Sequence, residues 1–234
     1  MNVLAIDTCL GAVSVAIGRH SAGGGFDISE TYEEVTSGHA ERLMPMVEHA
    51  MATAGIAFSD LSRLAVTLGP GTFTGVRTGI AAARAFRLAA RLEVVGMTSL
   101  AVMAERVISG SGPAQKSRPV LVAVDARRGR LFVQMFGTSA LDPLTEALEL
   151  TAAEVVTLAV GHEILIAGSG AQAVANAAAG SGAALEIVPG TLEPHAGDLA
   201  RLAPSLVPRL DISPLYLRAP DAKPQSGKRL ARTR

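Results

Sequence analysis

Two related α/β lobes, each a central mixed sheet flanked by helices, are the fold class this sequence predicts, and three observations carry the prediction. Short apolar runs alternate with longer stretches in which apolar residues recur every three or four positions, the pattern of strands followed by helices. The opening strand pattern returns later in the chain. With residues 5–15 set above 123–133, Ala5 meets Ala123, Asp7 meets Asp125, Gly11 meets Gly129 and Val15 meets Val133, all at an offset of 118. Between the copies lies SGSGPAQKSRP (109–119), rich in Gly, Ser and Pro as a linker is. The domain reading is an N-terminal lobe at 1–108, the linker, a C-terminal lobe at 120–217 and a basic tail at 218–234.

The elements follow in order. VLAIDT (3–8) is a short apolar run closed by a polar pair, and the turn Cys9-Leu10-Gly11 leads into AVSVAIG (12–18), so the two form a β-hairpin. DISETYEE (27–34) alternates as a third strand. From Ser37 the period becomes helical: Leu43, Met46, Val47, Ala50, Met51 and Ala54 share one face, and Gly55 ends the run. Pro45 lacks an N–H and is expected to bend this helix. LAVTL (64–68) is the next strand. The loop GPGTFTG (69–75), an Ala-rich helix over 76–91, the strand LEVVGM (92–97) and a helix over 99–107 complete the lobe. After the linker, VLVAVD (120–125) and RLFVQMFG (130–137) make a second hairpin around Arg127-Arg128-Gly129. ILIAG (164–168) leads through Ser169-Gly170 into a helix over 171–179, and 195–203 reads as a further helix.

Composition narrows the function. Of 234 residues, 49% are hydrophobic and 18% charged, which excludes disorder for most of the chain. The 21 basic and 21 acidic side chains argue against a protein that grips nucleic acid over its whole surface. The zero net charge conceals a split, because residues 218–234 hold six basic side chains against Asp221, a net +5, which leaves −5 for 1–217. Any direct RNA contact is expected first in that tail. Cys9 is the sole cysteine, so no intrachain disulfide forms, and no Cys/His cluster has zinc spacing. MNVLAIDT lacks a basic n-region and reaches an aspartate at position 7, unlike a signal peptide. No apolar run approaches the roughly 20 residues of a membrane span, and a cytoplasmic setting is expected.

Several residues invite a chemical reading. Asp7, Thr8 and Ser14 surround the first hairpin turn, and Asp125 ends the first strand of the second. At the end of a strand such polar groups suit plain turn capping. GPGTFTG is no P-loop, because Gly75 is followed by Val76 and Arg77 where a Lys would have to reach the phosphates. Its glycines fit a tight strand-to-helix turn, with Thr72 or Thr74 capping the helix. Gly75, Gly79 and Ala83 recur every four residues, a small stripe that lets another backbone approach. Arg77, Arg84 and Arg91 recur every seven, with Arg87 close by, and read as a solvated face with some pairing to Glu41 or Glu48. His39 and His49 stand too far apart for a local metal pair, and no H-E-x-x-H occurs. Cys9 lies beside Asp7, whose charge would raise the thiol pKa, so no nucleophile is assigned.

The two lobes, each with an Asp ending its first strand, resemble the actin/sugar-kinase/heat-shock ATPase fold. IDTCLGAVSVAI (6–17), SGHAERLMPMVEHAM (37–51), GPGTFTGVRTGIAAARAF (69–86) and PLYLRAPDAK (214–223) together resemble the TsaB family, over residues 1 to about 223. That resemblance implies a non-catalytic subunit of the complex that makes N6-threonylcarbamoyladenosine beside the anticodon of ANN-reading tRNAs. Its implied partners are a TsaD-like catalytic subunit, bound through a helical bundle of the N-terminal lobe, and a TsaE-like ATPase, with tRNA reached through the complex. The seam would use Leu43, Met46, Val47, Ala50, Met51, Gly75, Val76, Gly79, Ile80 and Ala83, and a homodimer is open to the chain when alone. Asp7, Thr8, Ser14 and Asp125 would mark a vestigial nucleotide pocket, degenerate because Ala126, Arg127 and Arg128 precede Gly129. No metal site and no firmly bound cofactor are implied, and ATP or ADP at a subunit interface stays open. The TsaD family carries an H-x-x-x-H metal pair after V-G-x-x. Here Val95-Gly96-Met97-Thr98 leads instead to Ser99 and Met103. The competing reading is an ATP-dependent kinase or hydrolase using Asp7 and Asp125.

Overall fold

The computed structural model describes residues 1–20, 25–190 and 193–218. The first sheet contains β1 (Asn2–Asp7), β2 (Ala12–His20), β3 (Phe26–Glu34), β4 (Arg63–Thr67) and β5 (Glu93–Met97), in the order β3-β2-β1-β4-β5. The second contains β6 (Val120–Asp125), β7 (Leu131–Phe136), β8 (Leu148–Leu150), β9 (Glu163–Ala167) and β10 (Ala184–Ile187), in the order β10-β9-β6-β7-β8. The two sheets have one topology. The first three strands of each are antiparallel neighbours, and the last two run parallel to the first. The 118-residue repeat is thus a repeat of architecture, but its register slips at the turn. Asp7 pairs with Ser14, whereas Asp125 pairs with Leu131, because the second turn is one residue shorter. Val15, opposite Ile6, therefore corresponds to Phe132, opposite Val124, and not to Val133.

Strand alternation assigns the layers. Leu4 and Ile6 of β1 face α1 (His39–Ala54) and α2 (Phe73–Ala90), while Val3 and Ala5 face α3 (Ser99–Gly110) and α6 (Ala196–Leu202). Ala5, Ala16 and Ala65 keep the second face flat where α6 lies close. In the second sheet Leu121, Ala123, Leu131 and Val133 meet α4 (Ala152–Ala159) and α5 (Ala171–Ala177). The other face, through Val120, Val122 and Val124, packs on α3. Helix α3 lies between the sheets, which is why nearly all its apolar side chains are buried.

Three sequence expectations change here. Helix α6 docks on β1, β2 and β3, so the chain returns to the first lobe near residue 195 and the second lobe does not continue to 217. Helix α3 continues to Gly110, into the stretch read as linker. Helix α2 begins at Phe73, with Thr72 as its cap, so Gly75 lies in its first turn. β8, α4 and β10 carry no sequence prediction, although α4 had a legible signal. Thr151 accepts from the Glu154 amide while Glu154 accepts from the Thr151 amide, a capping box. Helix α1 runs unbroken through Pro45.

Candidate functional site

The turn between β1 and β2 interlocks with the loop that starts α2. The Thr72 amide donates to the Cys9 carbonyl at 2.7 Å, and the Thr8 hydroxyl donates to the Gly75 carbonyl at 2.6 Å. A methyl group on Gly71 would collide with the Cys9 carbonyl oxygen, and one on Gly75 with that of Thr8. One on Gly79 would stand 2.7 Å from Thr8 Oγ1. The small-residue stripe of α2 therefore accommodates the chain's own first turn.

That close approach corrects the expected seam. Leu43, Met46, Val47, Ala50, Met51, Gly75, Val76, Gly79, Ile80 and Ala83 are all buried inside the lobe, against the first sheet and its turn. None faces outward, because the apolar face of an amphipathic helix goes first to its own sheet. The outward faces carry other residues. On α2 these include Thr74, half-buried Thr78, Ala81, Ala85 and Leu88, spaced four and three apart, with Leu88 85% exposed and the exposed Arg77 and Arg84 alongside. On α1 they include Met44 and Glu48.

The expected nucleotide residues are closed in. Asp7 is fully buried; Thr67 donates its hydroxyl to the carboxylate, and Cys9 donates its amide. Burial pushes the Asp7 pKa up to about 7, against the pull of those hydrogen bonds. The Cys9 thiol donates to Thr67 Oγ1 at 3.1 Å, and burial, with Asp7 nearby, pushes its pKa up. The Ser14 hydroxyl donates to Glu30 at 2.8 Å and accepts from the Ala196 amide at 2.6 Å. Glu30 also accepts from the Gly197 amide and meets His195 Nδ1 at 3.2 Å, while Tyr32 stacks on the His195 ring. Ser14 and Glu30 thus fasten α6 to the first sheet. Asp125, by contrast, is exposed and accepts from the Arg127 amide. A kinase or hydrolase would need Asp7 open to a metal and phosphate, and the burial of Asp7 removes it from that role.

The arginine stripe of α2 is neither idle nor paired with Glu41 or Glu48. It holds a strap, residues 207–216, that returns over the first lobe. Arg84 Nε donates to the Ile212 carbonyl at 3.1 Å, Arg87 to the Leu210 carbonyl, and Arg77 Nε to the Tyr216 hydroxyl at 2.7 Å. Backbone bonds from Arg209 to Val94 (2.8 Å) and from Leu215 to Leu68 (2.7 Å) fix its course, and Ile212 is buried beneath it. The Arg77 guanidinium lies 3.6 Å over the Phe73 ring, which stacks on Tyr216. Two residues later Arg218 reaches the second lobe, pairing with Glu149 and donating to the Ala126 carbonyl. Its hydrogen bonds hold the Glu149 carboxyl below the usual range. Arg127 and Arg128, in the adjacent turn, both have left-handed backbones (φ 64° and 56°), a conformation costing about 1–2 kcal/mol for a side-chain-bearing residue. Sequence reasoning missed Glu30, His195 and Phe73; nothing in the local pattern at Glu30 or His195 announces their contact. Beyond Arg218, the basic tail lies outside the described residues.

Ser99 and Met103, standing where a metal pair would be, are both fully buried. The Ser99 hydroxyl donates to the Pro70 carbonyl at 2.6 Å. Among the described residues no group of three or more His, Cys, Asp or Glu is placed to hold a metal, and no helix is long and apolar enough to cross a membrane.

Comparisons with known proteins agree with this architecture. Residues 31–187 match the family model described as TsaD, tRNA N6-adenosine threonylcarbamoyltransferase. The tRNA threonylcarbamoyladenosine biosynthesis protein TsaB of Escherichia coli is 36% identical over 132 residues, which span 56% of this chain and 53% of that protein, about half its length. An uncharacterised protein of Mycobacterium tuberculosis is 34% identical over 95% of this chain and 94% of its own. A solved structure from Pseudomonas aeruginosa, described as similar to peptidase YEAZ, superposes with a TM-score of 0.79 at 28% identity, covering 93% of this chain and 99% of that one.

Proposed function

The chain belongs to the TsaB family, among the TsaD-type proteins, and from that premise we propose that it is a non-catalytic subunit in the formation of N6-threonylcarbamoyladenosine on tRNA. It docks on a TsaD-like catalytic subunit, and a TsaE-like ATPase joins the pair. The supporting observation is the outward line Thr74, Thr78, Ala81, Ala85 and Leu88 on α2, together with the exposed Met44 on α1. Heptad-spaced small side chains let a second helix approach closely, and the exposed Leu88 and Met44 supply apolar ends. The residues first expected there serve the lobe's own core, so docking uses the opposite face of the same two helices. Without its partner, the same face is open to a second copy of the chain. An ATP or ADP, on this reading, sits against the partner and not on Asp7.

Reconstitution tests this. The TsaD-like and TsaE-like proteins of the same genome, with threonylcarbamoyl-adenylate and an ANN-decoding tRNA transcript, should form the modified nucleoside only when this chain is added. Equal product without it would contradict the proposal.

A further inference from the structure

We propose that the Phe73–Tyr216 stack, Arg77 and the Arg127-Arg128 turn form a contact site for single-stranded RNA on this chain. The choice of RNA rests on the tRNA-modification reading above; the site rests on geometry. The chain has eight Phe and Tyr rings and no Trp, and Phe73 and Tyr216, 43% and 40% exposed, are the two most open to solvent. Their centroids are 5.6 Å apart with planes 25° from parallel, and Arg77 lies over the first ring. With the guanidinium covering one face of Phe73, the exposed remainder of the two rings is an aromatic surface next to a cation, of the kind on which an unpaired base stacks whatever its identity.

The surroundings point to a polyanion. Arg218, two residues after Tyr216, donates to the Ala126 carbonyl, one residue before the Arg127-Arg128-Gly129 turn, so one stretch of chain links the two parts of the site. Glycine would suit positions 127 and 128 better, as Gly129 (φ 70°) shows, yet both hold exposed arginines. Backbone strain kept for the sake of a charged side chain marks a position where the charge is used. In sequence, 218–234 carries a net +5 while 1–217 carries −5. Aromatic and arginine clusters also occur at protein interfaces, but a concentration of cations on an acidic body matches phosphate better.

The test measures binding of an ANN-decoding tRNA transcript by the pair of this chain with its TsaD-like subunit, between 50 and 200 mM salt. The variants are Phe73→Ala, Tyr216→Ala and the double Arg127→Gly/Arg128→Gly, which removes charge while easing the backbone. Each aromatic variant should weaken binding by about five- to a hundredfold. The double variant should lower the slope of log affinity against log salt by about 0.7 for each phosphate it no longer neutralises. Affinities and slopes within twofold of the parent in all three, with the pair intact, would overturn the site. So would dissociation of the TsaD-like subunit with tRNA affinity of the isolated chain unchanged, which would make the patch a protein surface. Should no pair assemble at all, the proposed function falls, and the same titration on the isolated chain decides the site: variant-sensitive binding supports it, and no binding overturns it.

Discussion

Gly79 faces Thr8 so closely that one added methyl carbon would stand 2.7 Å from the Thr8 hydroxyl oxygen. A glycine inside a helix ordinarily costs up to about 1 kcal/mol relative to alanine, so Gly→Ala at an open position stabilises. At Gly79 the sign should reverse. Gly79→Ala is expected to destabilise by about 1–3 kcal/mol in urea unfolding, since the turn must shift to admit the methyl group. Gly55→Ala serves poorly as a comparison because of its left-handed backbone; Gly110→Ala, with nothing nearby, should stay within about 0.5 kcal/mol of the parent or gain stability. Equal effects at 79 and 110 would contradict the close approach.

Asp7 makes stability depend on pH in an unusual direction. Burial raises its folded pKa to about 7, against 3.8 for a free aspartate. Between those values the folded chain holds a proton that the unfolded chain has lost. Stability therefore falls as pH rises through that window, by up to about 1.4 kcal/mol per unit, and levels off above pH 7. Asp7→Asn removes this dependence, so the variant-minus-parent stability should climb from pH 4.5 to 7 and then flatten. A difference independent of pH would contradict the assignment. Glu30 acts in the opposite sense. Burial would raise its pKa, but hydrogen bonds from His195, Gly197 and Ser14 outweigh it and hold the pKa below 4.5. Its contribution is present above that value and lost as pH falls through the lowered one.

The strap over α2 should loosen as a unit. Ile212→Ala opens a hole beneath it, with an expected cost of about 2–5 kcal/mol locally. Amide exchange at Arg209 and Leu215, which donate to Val94 and Leu68, should accelerate together, while β1 amides keep their protection. Uniform acceleration across the chain would show that the strap is no separate unit.

Arg127 and Arg128 occupy backbone conformations that glycine adopts without cost. Replacing Arg127 by glycine should leave stability unchanged or raise it by up to about 1 kcal/mol, the relief offsetting the entropy glycine adds to the unfolded chain. A drop beyond about 2 kcal/mol by thermal melting, the scale of a named structural defect, would mean that the side chain itself holds the turn.

The lobes were legible because strand and helix periods are written locally, and the 118-residue repeat made the duplicated sheet visible before any strand was paired. The direction of the α1 and α2 faces was not. Leu43, Met46 and Gly79 form the pattern of a helix seam, and periodicity alone does not say whether the seam meets a partner or its own sheet. Contacts between residues distant in sequence were also out of reach. Nothing near Ser14 announces that it accepts from the Ala196 amide, nor near Arg84 that it grips the Ile212 carbonyl. The burial of Asp7 follows from the loop that closes over it, so a strand-end aspartate looked available when it is sealed.

The central claim is that this chain works by docking the outward face of α1 and α2 on a catalytic partner. Its most direct test is the affinity of the TsaD-like subunit for Ala85→Glu, by calorimetry, beside the parent and a Glu186→Ala control on the other lobe. Ala85 is exposed, so the variant should melt like the parent; the introduced charge should cost at least tenfold in affinity, with the control unchanged. Parental affinity in a folded Ala85→Glu would contradict docking through this face.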